Sequence, residues 1–323
     1  MILIVGATGQ LGTAVARRLV AMGKPVRAFV RPGSRCTHLD IRGIELAYGD
    51  LRDPASIDAA CRGTDIVVAT ANVVVPEGPT SFEAVEGRGY SSLIESCRRH
   101  GVDRFVFMSV PVTPHDAKVP LFRYKRLIES RLAASGLSTT IFRASLFMDD
   151  WFAFLGSRLP VRGAEAATLD RRYWFLRAFL GAIDGLIDKH GIAMIPGSPR
   201  TRHAFIALDD VAEFIARAIR HDALRGDTVE IGGPEILTWL DVVDRFSAAL
   251  GKPVRAFHAP STLFRVQRAL LAPFSESASN IMGLNWLVAY ETPYDARALA
   301  ESFGMTLTRS GEFLARKAAL TMH

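Results

Sequence analysis

The sequence predicts an α/β fold in which a doubly wound parallel sheet carries a smaller, mostly helical C-terminal lobe. First, a short apolar run at residues 2–5 stops at Gly6, and glycines recur at Gly9 and Gly12. Second, apolar runs alternate with segments of helical periodicity through the first half of the chain. Such alternation gives a parallel sheet with helices on both faces and right-handed crossovers. Third, this rhythm loosens from residue 146 onward.

The first half contains six apolar runs that we interpret as strands, at residues 2–5, 26–30, 44–48, 65–69, 104–108 and 139–142. A helix after the first run is indicated by apolar residues spaced four, four and three positions apart, at Leu11, Val15, Leu19 and Met22. Asp53 and Pro54 are typical of an N-cap and a first-turn residue, so the second helix is predicted to begin there. Gly101 follows two arginines and a histidine, which is typical of a helix C-terminus.

We divide the chain into residues 1–145 and residues 146–323, and some segments of the second part can return to the main sheet. Strands are predicted at 202–207 and 228–231, with helices at 211–219, 238–250, 260–271, 276–290, 294–303 and 310–320. We expect this second lobe to lie over the edge of the sheet where the strands end, because ligands of parallel sheets bind at that edge.

The composition is that of an ordinary globular chain, with 49% apolar and 22% charged residues among 323. No apolar run reaches the roughly 18 residues that cross a bilayer, and no secretory signal pattern is present, so we expect a cytoplasmic protein. The cysteines, Cys36, Cys61 and Cys97, form no paired motif, and the eight histidines are dispersed. Neither a disulfide framework nor a metal site is therefore expected.

The net charge of +6 comes from arginine, which supplies 33 of the 39 basic residues. These arginines are interspersed with acidic residues along the chain and do not form one basic run. We therefore expect no nucleic-acid partner. Part of the excess is interpreted as attraction for a phosphorylated cofactor.

The turn between the first strand and the first helix is predicted to bind the pyrophosphate of a dinucleotide, as in Rossmann-type folds. The residues predicted to form this site are Gly6, Thr8, Gly9, Gln10, Leu11 and Gly12. Backbone N–H groups and the positive end of the helix dipole converge there. The glycines turn the chain, let the phosphate approach and pack the helix against the strand. The alternative is a tight turn without a ligand.

The residues after the second strand favour NADP over NAD. In dinucleotide-binding folds, an acidic residue about 20 positions past the glycine turn usually binds the adenosine ribose. Here that position is Arg31, and Arg35 follows it closely. Guanidinium groups suit a 2′-phosphate, whereas they give a free ribose diol no acceptor. The alternative is two solvated surface arginines.

The third and fourth strands are also followed by candidate cofactor-binding residues. Asp50 and Leu51 close the third strand, and Asp50 is predicted to accept a hydrogen bond from the adenine amino group or else to serve as a capping residue. Thr70 and Ala71 follow the fourth strand, where small residues leave room for a cofactor that passes close above.

These residues together resemble the NmrA-like group of atypical short-chain dehydrogenase/reductases. The similar motifs are the glycine turn, Arg31, Asp50-Leu51, Ser109 and Lys125, and the block from Pro120 to Arg143 looks like the lysine helix and following strand of that group. The resemblance is specific over residues 1–145 and looser through 207–213 and 230–235. The group includes isoflavone-reductase-like enzymes, NADPH-dependent quinone reductases, redox-sensing regulators, an NADPH-binding subunit of respiratory complex I and photosystem assembly factors.

The resemblance implies that Ser109 and Lys125 are the active-site serine and lysine, and that Lys125 binds the nicotinamide ribose. The superfamily's tyrosine, four positions before the lysine, is replaced by Leu121, which cannot donate a proton. Tyr124 is not a simple substitute, because adjacent helical residues point about 100° apart. Three interpretations of the missing tyrosine remain. In the first, protons come from Lys125, Ser109 or water, and in the second, the substrate is a quinone or another acceptor that needs little acid assistance. In the third, the protein binds NADP(H) without turnover. The structural alternatives are a surface lysine and a capping serine.

Residues 168–190 have helical periodicity with Trp174, Phe175 and Phe179 among the apolar residues of one side. This stretch can close as a lid over the nicotinamide, dock onto a membrane surface or a protein partner, or simply pack into the second lobe.

From these observations we predict an NADP(H)-dependent oxidoreductase that reduces a small apolar carbonyl, enone or quinone-like molecule. The alternative function is a non-catalytic redox sensor or assembly factor that binds NADP(H).

Overall fold

The structure, a computed structural model, describes residues 1–169, 181 and 183–320. Its strands are, in chain order, β1 (Ile2–Val5), β2 (Val26–Val30), β3 (Ile44–Tyr48), β4 (Ile66–Ala69), β5 (Arg104–Ser109), β6 (Thr139–Ala144), β7 (Ile192–Pro196), β8 (Arg202–His203), β9 (Thr228–Ile231), β10 (Leu237–Thr238) and β11 (Arg255–Ala259). Its α-helices are α1 (Gln10–Ala21), α2 (Pro54–Cys61), α3 (Tyr90–Arg99), α4 (Pro120–Ala134), α5 (Met148–Phe154), α6 (Ala166–Leu169), α7 (Leu208–Ala218), α8 (Trp239–Leu250), α9 (Ser261–Leu271), α10 (Glu276–Leu287), α11 (Arg297–Ser302) and α12 (Ser310–Ala319).

Seven strands form the central sheet in the order β3-β2-β1-β4-β5-β6-β9, and every pair is parallel. In the register of this sheet, Ile4 lies between Ala28 and Val68. The chain order reverses on either side of β1, and this reversal opens a crevice at the carboxyl ends of β1 and β4. The predicted α/β fold with a doubly wound parallel sheet is confirmed.

The two faces of the sheet bury separate hydrophobic cores, because successive strand residues point to opposite faces. Ile4 packs with Val15 of α1 and Ile215 of α7 on one face. On the other face, Val5 belongs to a cluster with residues of α2, α3 and α4, including Leu93 and Ile128. Helix α2 begins as predicted, since the Asp53 side chain accepts a hydrogen bond from Ala55 N and Pro54 follows it.

The second half of the chain contributes both to the main sheet and to a further core. Strand β9 pairs with β6, with Val229 opposite Phe142. A third cluster, which includes Phe152, Phe205 and Trp239, lies among α5, α8 and the short strands. The strand expected at 202–207 is limited to β8, and the parallel pair of β7 and β11 was not predicted. The division after residue 145 stays a prediction.

Most of the lid, docking or packing segment proposed at 168–190 lies outside the described residues, which omit 170–180 and 182. Its three predicted roles therefore stay predictions. Among the helices that the structure describes, none combines the length and apolarity needed to span a bilayer.

Candidate functional site

A cavity of about 570 Å³ opens at the carboxyl ends of the central strands. The structure brings together nearly all residues that the sequence predicts for the site, and its walls include Gly6, Thr8, Gly9, Gln10, Leu11, Gly12, Arg31, Asp50, Leu51, Thr70, Ala71, Ser109 and Lys125. Arg35 is exposed on the loop after β2 and does not belong to the cavity wall. The roles assigned to these residues stay predictions, but their proximity is a property of the fold.

The three glycines of the first turn differ in what their missing side chains allow. Gly6 has φ of +96°, and a Cβ on it would clash with Ala71 N, while a Cβ on Gly12 would overlap Gly6 O. These two glycines are therefore required for packing of the turn itself. Gly9 has φ of −79°, and a Cβ there would lie 3.4 Å from its nearest neighbour, Gly6 O. The fold alone thus does not require glycine at position 9.

The first turn of α1 presents backbone N–H groups to the cavity. Gly9 is the N-cap and provides no side-chain hydrogen bond, and the first turn holds no acidic residue. The Thr13 hydroxyl donates to Ala7 O at 2.9 Å and fixes the turn from inside. Main-chain donors and the helix dipole therefore favour an anion at this point, as a pyrophosphate would require.

The part of the cavity next to β2 and β3 contains three charged residues, Arg31, Asp50 and Arg52. Arg31 is exposed directly after β2 and lines the cavity together with Asp50 and Arg52. Arg52 donates from Nε to Asp50 Oδ1 at 2.9 Å and from Nη2 to Asp50 Oδ2 at 2.7 Å. These hydrogen bonds from Arg52 are the main reason that the pKa of Asp50 is lowered. Arg52 was not predicted as a site residue, although it stands two residues after Asp50.

Lys125 is a buried lysine, so its interpretation as a surface residue of an amphipathic helix is wrong. Its Nζ lies 3.7 Å from Glu86 Oε2, and the two side chains are 2% and 0% exposed. Nζ also donates to Ala71 O at 3.5 Å, while Glu86 Oε1 accepts from Val73 N at 2.8 Å. Burial is the largest influence on both groups, and it lowers the pKa of Lys125 and raises the pKa of Glu86. Glu86 was not predicted as a site residue, because no local motif marks it.

The Ser109 hydroxyl is held by a carboxylate on α4. It donates to Glu129 Oε1, and the same carboxylate accepts from Arg126 at 3.0 Å and from Arg143 at 2.6 Å. Ser109 lines the cavity, but its single proton is directed to Glu129. The Ser109 oxygen also accepts from Arg126 Nη2 at 3.4 Å, so a ligand at this position meets a lone pair and no donor.

The remaining part of the cavity is mostly apolar. Leu121, in the position of the superfamily's tyrosine, lines it and is 4% exposed. Tyr124 does not belong to the cavity wall, and its hydroxyl donates to Glu83 Oε2 at 2.9 Å. The other apolar side chains of this region include Phe147, Trp151, Phe154, Leu284 and Tyr290. In the described part of the chain, no group of three or more His, Cys, Asp or Glu residues is arranged to bind a metal ion.

Comparison with known proteins adds three kinds of similarity. The model of the NmrA-like family matches residues 1–166. The NAD(P)H azoreductase of Xenophilus azovorans is 27% identical over 270 residues, which cover 84% of this chain and 80% of that protein. The photosystem II assembly factor Ycf39 of Cyanophora paradoxa is 33% identical over 142 residues, and this match spans 44% of each chain.

Among solved structures, the NADPH-dependent quinone oxidoreductase QOR2 of Escherichia coli, complexed with NADPH, superposes with a TM-score of 0.68. The alignment covers 98% of this chain and 99% of that one at 19% sequence identity. At this identity the similarity shows a shared fold.

Proposed function

Because the chain belongs to the NmrA-like family, we propose that it is an NADP(H)-dependent oxidoreductase that transfers hydride to a small apolar carbonyl, enone or quinone-like substrate. The observation that carries this proposal is one continuous cavity with two chemically different ends. One end has the bare helix N-terminus and Arg31, and the other has Lys125 beside mostly apolar walls. The name of the azoreductase relative supports the same class of reaction.

The charged end of the cavity suits a phosphorylated dinucleotide. The first turn of α1 offers main-chain donors to the pyrophosphate. Arg31 provides a guanidinium that can form paired hydrogen bonds with a 2′-phosphate, which is the proposed basis of a preference for NADP over NAD. Arg35 lies outside the cavity wall, so we assign the 2′-phosphate to Arg31 alone.

Lys125 is proposed to bind the nicotinamide ribose. An ammonium has three N–H donors, and Nζ donates one of them to Ala71 O at 3.5 Å, while Glu86 Oε2 lies 3.7 Å away as its ionic partner. A donor of Nζ is therefore left for a ribose hydroxyl. The pair with Glu86 also fixes the position of Nζ, because both side chains are buried.

The apolar end suits the reaction. Reduced nicotinamide supplies a hydride when it is bound. The apolar side chains around Leu121, Phe147 and Trp151 exclude water from that region. Since Leu121 cannot protonate an oxygen, the proton comes from Lys125 or from water, and a quinone-like acceptor, which needs less acid assistance than a simple ketone, is the preferred substrate class.

The proposal is tested by measuring NADPH oxidation with a panel of quinones, enones and azo compounds. Lys125→Met should lower kcat/KM by at least tenfold, because a charge-assisted hydrogen bond contributes about 1.5–3 kcal/mol. Lys118→Met, which changes an exposed lysine of the same region, is the matched control and should retain activity. An unchanged rate in Lys125→Met would contradict the assigned role.

A second candidate function is a redox sensor or assembly factor that binds NADP(H) without turnover. It is favoured by Leu121 in the tyrosine position and by the names of the Ycf39 relatives. Tight NADPH binding without oxidation by any acceptor of the panel would favour this candidate. Absence of NADPH binding would contradict both functions.

A further inference from the structure

Three buried side chains form a hydrogen-bonded chain at the wall of the cavity. Ser145 Oγ lies 2.7 Å from Thr292 Oγ1, and Thr292 Oγ1 lies 2.8 Å from His203 Nδ1. The other ring nitrogen, His203 Nε2, lies 3.1 Å from the Val288 carbonyl oxygen. Ser145, Val288 and Thr292 line the cavity, whereas His203 is fully buried behind them.

The direction of every hydrogen bond in this chain follows from its buried end. A carbonyl oxygen only accepts, so His203 Nε2 must carry the hydrogen that bonds to Val288 O. Burial lowers the pKa of His203 to about 4, so the ring is neutral at neutral pH and Nδ1 is an acceptor. The Thr292 hydroxyl therefore donates to Nδ1.

Since the Thr292 proton is used, Thr292 Oγ1 can only accept from Ser145. The alternative target of the Ser145 hydroxyl is Thr292 O at 3.3 Å, and this carbonyl oxygen also only accepts. In both cases the Ser145 proton points inward, away from a ligand. Ser145 consequently presents lone pairs, and no donor, to whatever binds beside it.

The position of Ser145 indicates which ligand group it meets. Ser145 directly follows β6, in the half of the sheet that binds the nicotinamide part of a dinucleotide in doubly wound folds. Lys125 and Ser109 line the same cavity, and Ser109 pairs in the sheet with Arg143, two residues before Ser145. We propose that Ser145 Oγ accepts a hydrogen bond from the carboxamide N–H of the nicotinamide ring and does not donate one to it. This inference rests on the proposed function and adds a specificity residue to it.

If Ser145 only accepts, cofactor analogues with and without an N–H donor on the carboxamide position should bind with different affinities. The carboxamide of NADPH has an N–H donor, and the thionicotinamide analogue keeps this donor while it changes the carbonyl oxygen. The 3-acetylpyridine analogue has a methyl group in place of the NH₂. A hydroxyl that could reorient would tolerate this analogue by donating to its acetyl oxygen after rotation of the acetyl group, whereas the fixed Ser145 hydroxyl has no proton to donate.

The test measures Kd of the full chain for the three reduced nucleotides at neutral pH by fluorescence titration. The wild-type protein should bind the acetylpyridine analogue about 3- to 10-fold more weakly than NADPH, which corresponds to one neutral hydrogen bond. It should bind the thionicotinamide analogue with an affinity close to that for NADPH. In Ser145→Ala, the preference for NADPH over the acetylpyridine analogue should fall towards 1.

Ser96→Ala is the matched control, because Ser96 is also buried, at 1% exposure against 3% for Ser145, but does not line the cavity. This variant should keep the wild-type preference. Equal affinity of the wild-type protein for NADPH and the acetylpyridine analogue would overturn the inference even without any variant. An unchanged preference in Ser145→Ala would also overturn it. Failure of all three nucleotides to bind the wild-type protein would instead overturn the proposed function itself.

Discussion

The ammonium nitrogen of Lys125 lies 3.7 Å from the carboxylate of Glu86, and neither side chain is more than 2% exposed. Two opposite charges in such a place compensate each other, because burial removes almost all of their contact with solvent. Both the stability of the fold and the position of Nζ therefore depend on the presence of both side chains. The contribution of each residue is best measured by substituting it with and without its partner present.

The first prediction concerns this pair. Glu86→Gln and Lys125→Met should each lower the free energy of unfolding by about 3–5 kcal/mol, because each leaves an uncompensated buried charge. The double variant should lose much less than the two single losses together. Urea unfolding in the absence of nucleotide measures the free energy of unfolding of the wild-type protein, the two single variants and the double variant. Strict additivity would contradict a coupled pair.

The second prediction separates nucleotide binding from packing in the glycine turn. Gly9→Ala should fold with nearly wild-type stability, because its φ suits alanine and the nearest atom lies 3.4 Å from the new Cβ. Its affinity for NADPH should fall by at least tenfold, because the methyl group occupies the approach of the pyrophosphate. Gly12→Ala should instead lower the Tm, since its Cβ overlaps Gly6 O. Wild-type NADPH affinity in Gly9→Ala would argue against a pyrophosphate at this turn.

The third prediction concerns cofactor preference. Arg31→Ala should weaken NADPH binding by about 10- to 100-fold, as expected for loss of hydrogen bonds between two charged groups, and should leave NADH binding nearly unchanged. Arg35→Ala is the control on the same loop, and it should keep the preference for NADPH because Arg35 does not line the cavity. Equal losses for NADPH and NADH in Arg31→Ala would contradict the assignment of the 2′-phosphate.

The fourth prediction is a pH dependence of stability. Burial raises the pKa of Asp149 from 3.8 to about 6. A raised pKa in the folded state means that the stabilising contribution is complete below the unfolded value and is lost as pH rises through about 6. Asp149→Asn should therefore be more stable than the wild-type protein at pH 8, by up to about 3 kcal/mol, and similar to it near pH 3.5.

Denaturant unfolding at the two pH values measures this difference. Asn retains an acceptor for Leu208 N, which donates to Asp149 Oδ2 at 2.9 Å in the wild-type protein. Exposed Asp227→Asn is the control and should give the same small difference at both pH values. A loss of stability in Asp149→Asn that grows with pH would contradict the prediction.

The main sheet could be predicted from the sequence because most of its strands are rich in apolar and β-branched residues. The buried runs of β1 and β5 are unambiguous in this respect. Strand β11 lacks this signal, because it reads Arg255-Ala-Phe-His-Ala259 and is largely exposed. Strand β7 is apolar, but it is only five residues long and its partner β11 carries no strand signal. The pairing of β11 with β7 joins segments about 60 residues apart, which a local pattern does not show.

In the site, too, residues that local sequence marks could be predicted, whereas contacts between residues distant in sequence could not. The glycine turn and Arg31 are recognisable because their functions depend on their own positions after a strand. Glu86 is not, because it lies in a π-helical segment, Glu83–Gly89, and meets Lys125 only through the tertiary fold. The direction of the Ser109 hydroxyl depends on Glu129, twenty residues away, and is likewise outside the reach of a motif.

Strand β9 has a consequence for how the chain reaches its native state. It belongs to the second half of the sequence and forms the outer edge of the sheet beside β6. A growing polypeptide that has emerged only as far as residue 145 would thus have an open hydrogen-bonding edge on β6, ready to pair with a foreign strand. Completion of the nucleotide-binding part must wait until ribosomal synthesis has passed residue 231, so truncation before that point should give aggregates and not an autonomous folding unit.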